Sequence, residues 1–201
     1  MSNSPKALEF LVVIPARLGS TRLPRKPLAD IHGKPMVVRV ADRAMQSAAH
    51  SVIVATDAPE IQAVCNEHRI ECLLTRNDHP TGTDRIAEIA QLLKLPDNAI
   101  VVNVQGDEPL IPAELINQVA QALADHPACA IATVAVASED SAEIANPNVV
   151  KSYSIAPVKQ CTSQEPAFLL SEMPHLRQLP NIYVTLAFMP TGQTFYKPIR
   201  V

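Results

Sequence analysis

The chain has 201 residues, 47% hydrophobic and 18% charged, with a formal net charge of -3. That length and apolar content suffice for a folded domain with its own core and exclude wholesale disorder. The acidic balance argues against a nucleic-acid partner bound through bulk charge. No apolar run reaches bilayer-spanning length, so no membrane partner is expected.

In chain order, short β-branched runs alternate with longer amphipathic stretches. Phe10–Ile14, Ser51–Thr56, Glu71–Leu74, Ala99–Gln105 and Ala130–Val136 read as buried strands, nearly continuous in apolar character as parallel sheets require. Between them, Pro35 suits the first position of a helix whose apolar stripe is Val37, Val38, Val40, Ala41, Ala44 and Met45. Pro59–His68, Asp84–Leu93 and Pro112–Ala124 are predicted helices of the same kind. Strand–helix alternation at this spacing implies right-handed crossovers and a three-layer α/β sandwich. Ligands of such sheets gather beyond the carboxyl ends of the strands.

Three segments therefore share one rim. The first, leaving the opening strand, carries Arg17, Arg22, Arg25 and Lys26 and no acid. Cations converging at a strand end suit a polyanion such as a triphosphate, whereas the alternative is a solvated basic loop. It is not a Walker loop, because Gly19 is its only glycine. The second, Val102 to Pro109, ends an apolar strand in Gly106-Asp107. A hard carboxylate beside phosphate-binding cations is what a magnesium–nucleotide complex needs; the alternative is a turn former or a helix cap. The third, Thr75 to Arg85, is polar and turn-rich. Thr83 or Asp84 could cap the following helix, and Gly82 could admit a close backbone approach to a base and ribose. Cys65, His68 and Cys72 have metal-like spacing but no fourth ligand in view.

Together IPARLGSTRLPRKPL, GKPM, TRNDHPTGTDRIAE, VNVQGDEPLIP and NPNVVK resemble the 3-deoxy-manno-octulosonate (KDO) cytidylyltransferases over about residues 9–151. The resemblance implies a Rossmann-like, mostly parallel sandwich of the nucleotide-diphospho-sugar transferase type. It implies a cytoplasmic enzyme that transfers CMP from CTP to KDO with Mg2+, for lipopolysaccharide synthesis. By position it gives Arg17, Ser20 and Lys26 to the triphosphate, with Arg22 shaping the loop. Arg76, Gly82 and Thr83 fall to the cytidine, Gln105 to the sugar acid and Asp107 to the metal. No protein nucleophile is required. Alternatives are a cytidylyltransferase for another sugar acid, or a CTP-binding pseudoenzyme.

The likeness stops at Lys151. Up to there Phe10 is the sole aromatic; six more follow, while Glu165 and Glu172 are the only later acids. The family's ensuing VVLN, FSRA and RHIGIYAYR motifs, which supply acceptor-site and dimer contacts, are absent from the chain's own frame. One permitted back-translation of Tyr183 to Gln193, read from the third base, gives RHIGIYAYRA. The same offset lets Lys151–Ile155 encode VVLN and Ser163–Pro166 encode the SRA of FSRA, its Phe drawing on the last base of Thr162. Residues 1–151 are thus expected to form the nucleotide-binding domain, and residues 152–201 an aberrant tail in a foreign frame. Within that tail only Ile182–Phe188 has strand character. The family's homodimer is not expected of such a chain, nor is full activity.

Overall fold

The computed structural model describes residues 8–19, 23–126, 131–133 and 186–188. The elements run β1 (Phe10–Ala16), a 3₁₀ turn (Lys26–Leu28), β2 (Asp30–Ile31), β3 (Lys34–Pro35), α1 (Met36–Ala44), β4 (Ser51–Thr56) and α2 (Pro59–Glu67). They continue with β5 (Glu71–Leu74), α3 (Gly82–Leu92), β6 (Ile100–Asn103), α4 (Ala113–Asp125), β7 (Ile131–Thr133) and β8 (Leu186–Phe188). The main sheet has the order β5-β4-β1-β6-β8-β7. Its first four strands are parallel, and β8 runs antiparallel between β6 and β7.

Alternation along β1 sorts its side chains between two layers. Val12 and Ile14 join α1, α2 and α4 in the larger core cluster, with Val37, Ile61 and Ile116 fully buried there. Val13 faces the other way and meets Ile86 and Ile89 of α3. The three-layer, mostly parallel α/β sandwich expected from the sequence is therefore the architecture observed.

From β1 the chain first builds outward through β4 and β5, then returns to place β6 on the opposite side. The β1/β6 boundary is thus the topological switch point, where a crevice opens beyond the strand ends. Pairing of β1 with β6 stops at Val13 and Asn103, while pairing with β4 continues to Ala16. The Val104 N–H donates to the Val13 carbonyl at 3.1 Å, so odd-numbered residues of β1 present their backbone toward β6. Pro15, which lacks an N–H, sits where that side of β1 has no partner strand left to serve.

Two short features had no counterpart in the sequence reading. Asp30–Ile31 and Lys34–Pro35 form an antiparallel hairpin closed by His32 and Gly33, at φ 49° and 80°. Asp30 Oδ2 accepts from the Gly33 N–H at 3.1 Å, and Arg39 of α1 donates to the His32 carbonyl at 2.7 Å. The expected strand at Ala130–Val136 is present as Ile131–Thr133, and that at Ile182–Phe188 as Leu186–Phe188. Their remaining residues lie outside the described ones, as does the rest of the chain beyond Thr133.

Candidate active site

Arg17, Gln105, Gly106, Asp107 and Lys26 line one cleft of about 500 Å³ at the switch point, together with Pro15, Gly19 and Leu23. The loop after β1 and the turn after β6 thus share a cavity, although 81 residues separate Lys26 from Asp107. Lys26 Nζ donates to Asp107 Oδ2 at 2.5 Å, with both side chains part-exposed. Lys26 opens the 3₁₀ turn, and Arg25 just before it is in the left-handed region at φ 58°. That bend carries Arg25 the other way, and its guanidinium pairs with Glu60 of α2 at 3.7 Å. Convergence of the loop cations, as expected from the sequence, therefore holds for Arg17 and Lys26 and not for Arg25. Ser20 and Arg22 lie outside the described residues.

Asp107 caps no helix. The N-cap of α4 is Pro112, without a side-chain cap bond. The carboxylate is left to the cleft, half exposed and touched by an ammonium. One hard carboxylate in a cationic cleft fits Mg2+, which retains waters and takes most of its other ligands from substrate phosphates. Next to it Glu108 is buried, and its Oε2 has no hydrogen-bond partner. Burial and then the neighbouring Asp107 charge push its carboxyl up to about 8, so it stays protonated at neutral pH.

Gly106 approaches the cleft wall at close range. A Cβ there would lie 2.7 Å from the Pro15 carbonyl oxygen, a contact no side chain tolerates. On the other side of Pro15, a Cβ on Gly82 would meet the proline ring at 3.3 Å. Pro15 is thereby wedged between the turn after β6 and the first residue of α3.

Arg76, Gly82 and Thr83 do not line the cleft; of the three, Gly82 adjoins it, against the ring of Pro15. The cap of α3 is neither Thr83 nor Asp84 alone. Thr81 is the N-cap, its hydroxyl oxygen accepting from the Asp84 N–H at 3.2 Å, while Asp84 Oδ2 accepts from the Thr81 N–H at 3.1 Å. This reciprocal capping box satisfies two otherwise orphaned donors. Thr81→Ala is expected to cost about 0.5–2 kcal/mol, measured by urea unfolding.

Sequence reasoning missed a polar network behind this segment. Arg85 of α3 is only 4% exposed, and its Nη2 pairs with Asp57, just past β4, at 3.2 Å. Its Nη1 donates to the Thr75 hydroxyl and, at 3.5 Å, to the Arg76 carbonyl. One turn on, Glu88 Oε2 accepts from the Arg76 N–H at 3.1 Å and from His79 Nε2. The signal was available, since Asp57 and Thr75 each directly follow a strand end.

The His79 hydrogen bond holds the Glu88 carboxyl below the ordinary glutamate range. A depressed folded-state pKa stabilises the protein above the unfolded pKa, and that contribution disappears as pH falls through the folded value. Glu88→Gln is therefore expected to lower stability most at neutral pH and to converge with the unaltered chain in acid, which flattens the acid side of the stability–pH curve. Thermal midpoints recorded across an acid titration check this.

The metal-like trio resolves differently. Cys65 and Cys72 are buried free thiols, and the hydrogen bond that Cys72 donates to Cys65, together with burial, pushes the Cys72 thiol upward. His68 merely ends α2. Among the described residues no three His, Cys, Asp or Glu side chains cluster for a metal.

A family model described as cytidylyltransferase matches residues 11–198. The chain belongs to the cytidylyltransferase family. Its likeness to the 3-deoxy-manno-octulosonate cytidylyltransferases stands at 81% identity with that enzyme of Polynucleobacter asymbioticus, over 151 residues. That alignment covers 75% of this chain and 59% of the relative. The enzyme of that name from Polynucleobacter necessarius is 77% identical over the same length. The chain thus spans 59% of the length of these curated relatives. Among solved structures, CMP:2-keto-3-deoxy-manno-octonic acid synthetase complexed with CTP superposes with a TM-score of 0.69 at 32% identity, covering 90% of this chain and 74% of that one. By family this is a nucleotidyltransferase fold. No helix among the described residues is long and apolar enough to cross a membrane.

Proposed function

We propose that this chain binds CTP with Mg2+ at the β1/β6 switch point, in a fold built to transfer CMP to KDO in the cytoplasm as a step toward lipopolysaccharide. The observation that carries this reading is the meeting of Lys26 and Asp107 in the cleft that Arg17 also lines. In the transfer, the anomeric oxygen of KDO forms a bond to the α-phosphorus and the bond to pyrophosphate breaks; the hydroxyl proton leaves to solvent. Such a reaction needs positioning and charge neutralisation more than covalent help. Arg17, Ser20 and Lys26 serve the triphosphate, with Arg22 shaping their loop. Gln105 serves the sugar acid, and Arg76, Gly82 and Thr83 serve the cytidine. Mg2+, held by Asp107, supplies positive charge against the phosphate oxygens when bound.

The tail from residue 152 is, in this proposal, a foreign-frame segment, which leaves acceptor binding impaired. The high-identity alignment has the length of the stretch before the motifs move out of frame, 151 residues, which supports that reading, although the family model itself extends to residue 198. Calorimetry is expected to detect CTP binding in magnesium, and a coupled assay little pyrophosphate release with KDO. Release at the rate of a full-length relative would overturn the impairment. An uninterrupted frame around codon 151, lacking the family motifs in the offset frame, would dismiss the foreign-frame tail.

A further inference from the structure

The backbone of Arg76 is held in an unusual way. Neither its N–H nor its carbonyl joins the sheet. Instead Glu88 accepts from the N–H, and Arg85 donates to the carbonyl. These two side chains of opposite charge stand three residues apart on α3, so they project from one face and hold the N–H and the carbonyl of one residue. Arg85 is itself anchored by Asp57 and also holds Thr75, while Glu88 is braced by His79. The Arg76 guanidinium, by contrast, is 68% exposed, with only loose approaches of 3.6 Å to Asp78 and 4.0 Å to Glu88. The main chain is fixed and the side chain is left available.

A buried ion pair such as Arg85–Asp57 adds little net stability, because desolvation offsets the attraction. What it supplies is a single geometry, and geometry is what base discrimination needs. Cytosine presents an amino donor and a ring-nitrogen acceptor where uracil presents a carbonyl and an N–H. A shelf with fixed polar groups rejects the wrong pattern, whereas a shelf free to shift adapts to both.

We propose that Arg85 and Glu88 are positioning residues that fix the segment bearing Arg76 and thereby set the chain's preference for cytosine over uracil. This rests on the CTP-binding reading above. The phosphate end of the cleft, built by Arg17, Lys26 and Asp107, shares no hydrogen bond with this network and serves as the internal reference.

The test measures dissociation constants for CTP, UTP and inorganic tripolyphosphate on the full chain by calorimetry, with thermal midpoints recorded in parallel. Glu88→Ala and Arg85→Lys are expected to weaken CTP about 10-fold and to narrow the CTP-to-UTP ratio by a similar factor. Tripolyphosphate affinity should stay within about 2-fold, a change too small to signal a lost charge contact. Glu88→Gln keeps an acceptor for the Arg76 N–H and should restore most of the CTP affinity. Should Glu88→Ala fail to fold, Arg85→Lys, which keeps a cation beside Asp57, carries the test. An unchanged CTP-to-UTP ratio in a folded variant overturns the proposal, as does an equal loss for all three ligands. Failure of the unaltered chain to prefer CTP, with tripolyphosphate still bound, would sink the cytidine reading itself and be seen before any variant is made.

Discussion

Asp107→Asn is expected to abolish the magnesium dependence of CTP binding while leaving metal-free binding of the triphosphate undiminished. The carboxylate holds the Lys26 ammonium at 2.5 Å; in the proposed function it is also the group that takes Mg2+ when nucleotide binds. An amide keeps the size but loses the charge, and a hard dication binds neutral amides less well than carboxylates. Changes even to residues behind a metal ligand commonly cost 10–100-fold in metal affinity, so at least about that loss is expected at the ligand. Meanwhile Lys26, freed from its counter-ion, meets phosphate without first giving up a partner. Titrations of CTP with and without magnesium separate the two effects, and a magnesium response equal to that of the unaltered chain would refute the assignment of Asp107.

Gly106→Ala is expected to be the most damaging single-methyl change in the site. The added carbon would stand 2.7 Å from a backbone oxygen of Pro15. A flexible side chain could swing aside, but this oxygen belongs to β1, which is locked by pairing with β4 up to Ala16. Relief requires the turn after β6 to move outward. Overpacking of this kind costs about 1–3 kcal/mol. The turn also carries Gln105 and Asp107, and misplacing reacting groups by an ångström can cost on the order of 100-fold in rate. CTP affinity should therefore fall together with stability, as urea unfolding and calorimetry would record. Gly19→Ala is the control: nothing lies within 4 Å of its Cβ position, so neither quantity should change much.

The sheet was legible because its chemistry is local. Ser51–Thr56 and Glu71–Leu74 were read to the residue, since buried parallel strands are unbroken apolar runs ended by polar turns. The first strand was read as ending at Ile14, two residues short. Pro15 looks like a stop, and only the sheet order explains why a missing N–H is harmless on the side where β6 has already ended. The small hairpin was missed although Gly33 marked it, because strands of two residues leave no periodicity to detect.

The site divides in the same manner. Asp107 and the loop cations were legible as charges at strand ends, the places where such sheets bind ligands. The direction each cation takes was not, because it depends on the left-handed bend at Arg25 and on Glu60, a residue of another element. Arg85 was hidden for a related reason. A charged residue on an amphipathic helix reads as solvent-facing, and its burial becomes intelligible only when Asp57 and Thr75 from two separate strand ends are brought beneath it.

Pro15, lodged between Gly82 and Gly106, makes one imino acid the common wall between the start of α3 and the turn that lines the cleft. Such a wall binds their histories together. A substitution on one side that displaces the ring alters what the other side can accept, so changes at the two glycines should combine non-additively. Drift at either position is then permitted only in step with the other, and laboratory diversification of this cleft would explore the pair jointly.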